Sequence, residues 1–191
     1  MDKYIEINNS KIYYIEEGEG YPILLFHGAR FNARIWKETG TIDKLASNGF
    51  KVYSIDFPGF GESENGNFNS ISEFIKLFIE KLNLKKVDIL GASMGGGNVL
   101  EFSLDNKNLV NKIILIGPVK VKENKDKLKL LDGIDILLIR GKNDSIFTEE
   151  DAKIFLYNVK SSKLINIGSK HACYLDEPEE FNNEIINFLK R

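Results

Sequence analysis

The chain has a single cysteine, Cys173, among 191 residues, together with only two histidines, one tryptophan and four prolines. One cysteine cannot close an intrachain disulfide, which excludes a disulfide-stapled secreted scaffold. Positive charge is not in excess either: 26 Lys and Arg stand against 28 Asp and Glu, a formal net charge of −2. Binding to phosphate backbones needs a basic face, so no nucleic-acid partner is expected. No apolar run approaches the ~20 residues of a membrane helix. Residues 1–20 carry neither the apolar stretch nor the small-residue cleavage site of a signal peptide. A cytoplasmic location without membrane attachment is therefore expected. Two histidines at opposite ends of the chain, His27 and His171, give no metal-ligand spacing. Neither a metal nor a cofactor is expected.

What is present is ordinary globular composition, 42% hydrophobic and 28% charged. Such a length fits one domain over residues 1–191 with a substantial core. Two alternating segments, 3–8 and 11–17, have strand character, with Asn9-Ser10 as the turn between them. A continuous apolar run at 22–26 fits a strand buried on both faces. Beyond it, strands at 52–55, 87–90, 113–116, 134–139 and 164–167 alternate with helices at 70–82, 95–106, 148–158 and 177–189. Repeated β-α units after a hairpin predict an α/β fold. The expected architecture is a mostly parallel sheet of about eight strands, with helices on both faces.

The sharpest local pattern is Gly91-Ala-Ser-Met-Gly95, a G-x-S-x-G between an expected strand and an expected helix. Glycines are needed on both sides because a nucleophile on that tight turn leaves no room for flanking side chains. A serine is inert without a base. Only His171 lies downstream of Ser93, as the chain order Ser, acid, His requires; His27 does not. The acid should stand between them at a strand tip. Asp144 fits, in the turn Gly141-Lys-Asn-Asp144 past the strand at 134–139. Asp132 and Asp135 lie at the wrong end of that strand, and Asp151 lies inside the next helix. Ser93, Asp144, His171 and the pair His27-Gly28 all follow carboxyl ends of strands, the edge where open α/β sheets bind ligands. The expected chemistry is attack by Ser93 on an acyl carbon, proton transfer to His171, and orientation of the imidazole by Asp144. The oxyanion needs preorganised N–H donors, assigned to Met94 and Ala29. His27 is then a residue that shapes the loop. The expected partner is a small acyl substrate.

These motifs, with Asp56-Phe-Pro-Gly-Phe-Gly-Glu-Ser63, resemble those of the α/β-hydrolase superfamily along nearly the whole chain. The stretches HGARFNARIWKETGTIDKLASNGFKVYSIDFPGFGES and HACYLDEPEEF look like the small, lidless hydrolases typified by CIB. That resemblance implies esterase activity on small activated esters. It also raises acyl transfer from acetyl-lysine to coenzyme A, as ascribed to a vertebrate member. Vertebrate members carry serine at the first glycine of the elbow, and Gly91 departs from them, which puts the second activity in doubt. A hydrolase fold can also serve as a binding or adaptor protein without turnover. The intact Ser93, Asp144 and His171 set argues against that reading. A carboxylate at the elbow, which dehalogenases need, is absent.

The interval between the strands at 113–116 and 134–139 is too short for a helical lid of several elements. An open, shallow site is expected. The charge-dense residues 120–129 read as a solvated segment, or as a docking patch for an anionic carrier. Arg30 reads as a solvated side chain, with contact to an anionic substrate as the second reading. Trp36 reads as core ahead of substrate wall, and Cys173 as a packed hydrophobe ahead of a redox group.

Overall fold

β1 (Asp2–Ile7) and β2 (Ser10–Glu17) form an antiparallel hairpin in the computed structural model, which describes residues 1–191. Ile7 pairs with Ser10, so Asn8 and Asn9 alone make the loop, at φ 51° and 60°. A two-residue hairpin loop twisted to match its strands needs positive φ at both positions, and asparagine tolerates that better than serine. The turn therefore sits one residue earlier than the Asn9-Ser10 pair expected.

The chain then runs through β3 (Tyr21–Phe26), α1 (Ile35–Glu38), α2 (Thr41–Ala46), β4 (Phe50–Ile55), α3 (Ile71–Lys81) and β5 (Val87–Ala92). It continues with α4 (Met94–Asp105), β6 (Val110–Ile116), β7 (Asp135–Arg140), α5 (Glu149–Asn158), β8 (Ser162–Asn166), α6 (Cys173–Asp176) and α7 (Pro178–Leu189). All eight strands join one sheet in the order β1-β2-β4-β3-β5-β6-β7-β8. Pairing is antiparallel at β1-β2 and β2-β4 and parallel from β4 to β8.

Alternation along the central strands builds two buried layers. On β3, Leu24 and Phe26 face the side covered by α3, α4 and α5, while Ile23 and Leu25 face α1, α2, α6 and α7. On β6 and β7 the same division sets Ile113, Leu115, Ile136 and Leu138 against Ile114, Ile116, Leu137 and Ile139. Each such side chain removed from water contributes about 1.5–3 kcal/mol before entropy is counted. Helix starts are fixed locally. The Ser70 hydroxyl accepts from the Glu73 amide, and Thr148 and Asp151 form a reciprocal capping box. Trp36 is fully buried in the second layer, as expected of a core residue.

The crossover from β6 to β7 differs from the solvated segment expected. Lys125–Leu131 forms a 3-10 helix that buries Leu128 and Leu131 in the first layer. Its charges are turned outward while leucines three apart reach the sheet. Lys120 pairs with Glu101 at 2.7 Å and Lys122 with Glu150 at 2.9 Å. This short crossover stands where larger hydrolases insert a lid, and there is no cap domain. No helix is long and apolar enough to cross a membrane.

Candidate active site

Strand register places the functional loops side by side. Phe26 pairs with Gly91, Ala92 with Ile116, and Ile116 with Ile139. The chain thus leaves the sheet at His27, Ser93, Gly117 and Gly141 along one edge.

Ser93 stands between β5 and α4 at φ 53° and ψ −112°, a conformation that costs a non-glycine residue about 1–3 kcal/mol. The turn is held by its neighbours. The Ser93 amide donates to the Ile116 carbonyl at 2.8 Å, and the Ser93 carbonyl accepts from the Gly97 amide at 3.0 Å. A Cβ on Gly91 would meet the Gly95 carbonyl oxygen at 2.4 Å, and one on Gly95 would meet the His27 carbonyl oxygen at 2.5 Å. Backbone, which cannot step aside, fills both spaces, and this is the physical content of the two flanking glycines.

His171 enters from the loop after β8. Its Nε2 lies 2.8 Å from Ser93 Oγ and its Nδ1 lies 2.7 Å from Asp144 Oδ2. Asp144 is almost wholly buried, and its Oδ1 accepts from the Ile146 amide at 2.8 Å and the Phe147 amide at 3.1 Å. Burial opposes ionisation of this carboxyl. The His171 hydrogen bond and the two amides outweigh it and hold the carboxyl below its ordinary value. A depressed folded-state value means stability that is complete above the unfolded value, near 4, and is lost as pH falls through the folded one. The gap in unfolding free energy between wild type and Asp144→Ala should accordingly be constant from pH 7 to about 5 and close below about 4. Denaturant titrations across that range would measure it, and a gap that widens in acid would contradict the assignment.

Two residues that sequence reading passed over shape this pair. Gly117, at φ 51°, lies against it: an added Cβ would stand 2.9 Å from His171 Cε1 and 3.1 Å from Asp144 Oδ2. Arg140, at the end of β7, is 7% exposed and donates to the Phe147, Asp144 and Lys142 carbonyls at 2.8, 2.9 and 3.2 Å. It spans the loop that carries Asp144. The available signal was an arginine closing an apolar strand, where a buried guanidinium must find several acceptors.

His27 makes no hydrogen bond with Ser93. Its Nδ1 lies 2.8 Å from the Gly28 carbonyl oxygen, and its Nε2 accepts from the Phe57 amide at 3.2 Å. Burial pushes its pKa down, so the ring is neutral, donating from Nδ1 and accepting at Nε2. Asp56 ties the same loop: Oδ1 accepts from the Ala33 amide at 2.6 Å and Oδ2 from the Glu62 amide at 2.7 Å. A Cβ on Gly61 would stand 2.0 Å from Asp56 Oδ2, which explains the glycine in Asp56-Phe-Pro-Gly-Phe-Gly61. Ala29 follows His27-Gly28 beside Ser93, and Met94 opens α4; neither amide is taken by another protein group.

A cavity of about 370 Å³ opens over Ser93 and His171. Its walls are Phe31, Ala92, Ile116, Ile146, Ala172 and Tyr174, with Gly28, Ala29, Arg30 and Lys170 at the rim. Cys173 is fully buried in the second layer, and burial pushes its thiol up to about 12. It is a packed hydrophobe, held protonated and out of reach of the cavity.

A family model described as the alpha/beta hydrolase fold matches residues 21–133, more than half of the chain. The chain belongs to the α/β-hydrolase fold family. A predicted CIB-like hydrolase from Thermoplasma acidophilum superposes over 100% of this chain and 97% of its own, with a TM-score of 0.93 and 27% sequence identity. The likeness to small lidless CIB-like hydrolases read from the motifs agrees with this match. Protein ABHD14A of Danio rerio is 27% identical over 173 residues, which is 88% of this chain and 64% of that protein's own length. ABHD14B of Rattus norvegicus, provisionally named a protein-lysine deacylase, is 24% identical over 203 residues, 97% of this chain and 94% of its own. These relatives support an enzyme of the hydrolase type.

Proposed function

We propose that the protein is a serine hydrolase of carboxylesterase type that cleaves small acyl esters through an acyl-enzyme. One observation carries this reading: the unbroken hydrogen-bonded series from Ser93 Oγ through His171 to the buried Asp144, at 2.8 and 2.7 Å, opening into an apolar-walled cavity. His171 Nε2 takes the Ser93 proton as Oγ bonds to the ester carbon, and the carbonyl oxygen becomes an oxyanion held by the Ala29 and Met94 amides. The carbon–alkoxide bond breaks as His171 returns the proton to the leaving alcohol. Water then repeats the sequence, releasing the acid and restoring Ser93. Asp144 keeps the proton on Nδ1 and offsets the imidazolium charge.

The test is hydrolysis of p-nitrophenyl acetate and longer homologues by wild type and Ser93→Ala. The expected result is a loss of about 10⁴-fold or more in kcat in the variant, with short chains preferred. Equal rates for the two proteins would remove Ser93 as nucleophile.

The ABHD14B name favours a second reading, in which the same acyl-enzyme passes its acyl group from a lysine side chain to an acceptor. Against a carrier docked on residues 120–129, Lys120 and Lys122 are already engaged by carboxylates. Product identification with and without coenzyme A separates the two.

A further inference from the structure

The rim of the cavity is charged on one side of the scale only. Arg30, next to Ala29, and Lys170, next to His171, are both exposed, and neither side chain makes a hydrogen bond or ion pair. Some cations elsewhere are paired, Arg34 with Asp2 and Glu62, and Lys120 and Lys122 with carboxylates on α4 and α5. Others, such as Lys85, Lys86 and Lys163, are exposed and unpaired; what sets Arg30 and Lys170 apart is that both border the cavity. Asp176 lies near Lys170, but its Oδ2 is taken by the Ser169 and Lys170 backbone amides at 3.0 and 2.7 Å. No Asp or Glu borders the cavity. In a chain with more acidic than basic residues, two free cations flanking an apolar opening are a local reversal of charge. Below them lies a further unmet donor. Tyr174 is 2% exposed and borders the cavity, and its hydroxyl makes no hydrogen bond within the protein. The fully buried polar side-chain atoms without a partner are the Tyr13 hydroxyl and Trp36 Nε1, so the Tyr174 hydroxyl is itself accessible; burial of the residue keeps it protonated, and it remains a donor.

We propose that the site selects an ester whose acyl chain ends in a carboxylate, a half-ester of a short dicarboxylic acid, with the anion held by Arg30 and Lys170 and the chain lying against Tyr174. The chemistry assigned to such a substrate rests on the serine-hydrolase reading above; its binding does not. The six apolar or aromatic wall residues accommodate a few methylenes, and the cations accept the charge where the wall ends. Long-range attraction between the rim and an anion also raises the encounter rate at low salt.

The probes are monomethyl succinate and methyl 4-methylpentanoate, in which an isopropyl group replaces the carboxylate. Wild-type hydrolysis gives the kcat/KM ratio of the pair, and calorimetric titration of Ser93→Ala gives the binding ratio. The half-ester is expected to be favoured about tenfold in both, with the advantage shrinking as salt is raised. Arg30→Gln and Lys170→Gln should each cut the ratio about 3- to 5-fold, the size of a partly exposed charge contact, while Lys153→Gln on α5 leaves it unchanged. Preferential binding without turnover of either ester would support the anion subsite and defeat the hydrolase reading. Turnover of both esters with no preference in either assay would overturn the subsite and leave the hydrolase reading standing. Preference for 3-acetoxypropanoate over monomethyl succinate would place the anion on the alcohol side and overturn the acyl-chain assignment.

Discussion

Asp144→Asn is expected to lower kcat/KM on small esters by about 10³- to 10⁴-fold while leaving the fold intact. The size of the effect follows from which atoms are already committed. Oδ1 of Asp144 accepts two backbone amides, from Ile146 and Phe147. In the amide variant only the oxygen can keep those bonds, so the NH₂ group is forced into the position of Oδ2, 2.7 Å from His171 Nδ1. An N–H aimed at Nδ1 requires that nitrogen to be unprotonated. The proton then sits on Nε2, which faces Ser93 and can no longer accept its hydrogen. The alternative flip restores the tautomer but sets the NH₂ against two amide donors in a buried loop. Neither arrangement is free. Steady-state kinetics with p-nitrophenyl acetate, alongside a melting curve, would check this. A loss below tenfold would mean that His171 does not depend on Asp144 for its orientation.

Gly117→Ala should lower kcat by about 10²-fold with a smaller change in KM. Two costs coincide. At φ 51° an alanine carries a backbone penalty of about 1–2 kcal/mol. Its methyl would also stand 2.9 Å from His171 Cε1 and 3.0 Å from Nδ1, closer than carbon contacts allow. The Gly117 amide is fixed by the Ile139 carbonyl at 2.9 Å, so the β6 end cannot retreat. His171 sits on a loop and is the part that yields. Movement of the imidazole by a few tenths of an ångström lengthens both of its hydrogen bonds. Alanine at Gly133, by contrast, has positive φ but meets nothing within 4 Å, so it should cost stability without affecting kcat. Comparing kcat and Tm for the two variants separates backbone strain from steric displacement of His171.

The alternation of strands and helices was legible in the sequence because it follows from periodicity. Apolar runs such as Ile136–Ile139 are buried on both faces, and Thr148 and Ser70 announce helix starts through side-chain capping. The candidate triad was legible for a different reason: with two histidines and one G-x-S-x-G, chain order left few choices. Elements that depend on tertiary contact were not visible. Leu128 and Leu131 look like isolated apolar residues in a lysine-rich segment, and only the sheet face beneath them makes a helix of Lys125–Leu131. α6, four residues long, has no periodicity to read. Gly117 and Arg140 escaped because their roles are defined by neighbours far away in sequence. A glycine after a strand is unremarkable until a histidine ring occupies its missing side chain. An arginine at a strand end reads as solvated until three carbonyls surround it.

The short crossover between β6 and β7 also bears on timing and on rivalry for the acyl group. The residues around Ser93 belong to strand ends, helix starts and loops anchored in the sheet, and no separate body has to swing before substrate enters or product departs. Turnover would then be set by bond-making steps rather than by a gate, and should respond little to solvent viscosity. On the proposed mechanism, the same openness would leave an acyl group on Ser93 facing bulk water from its first moment. A thiol or amine acceptor would have to be held in place by the protein to compete, and an opening of about 370 Å³ offers little surface for holding a large one.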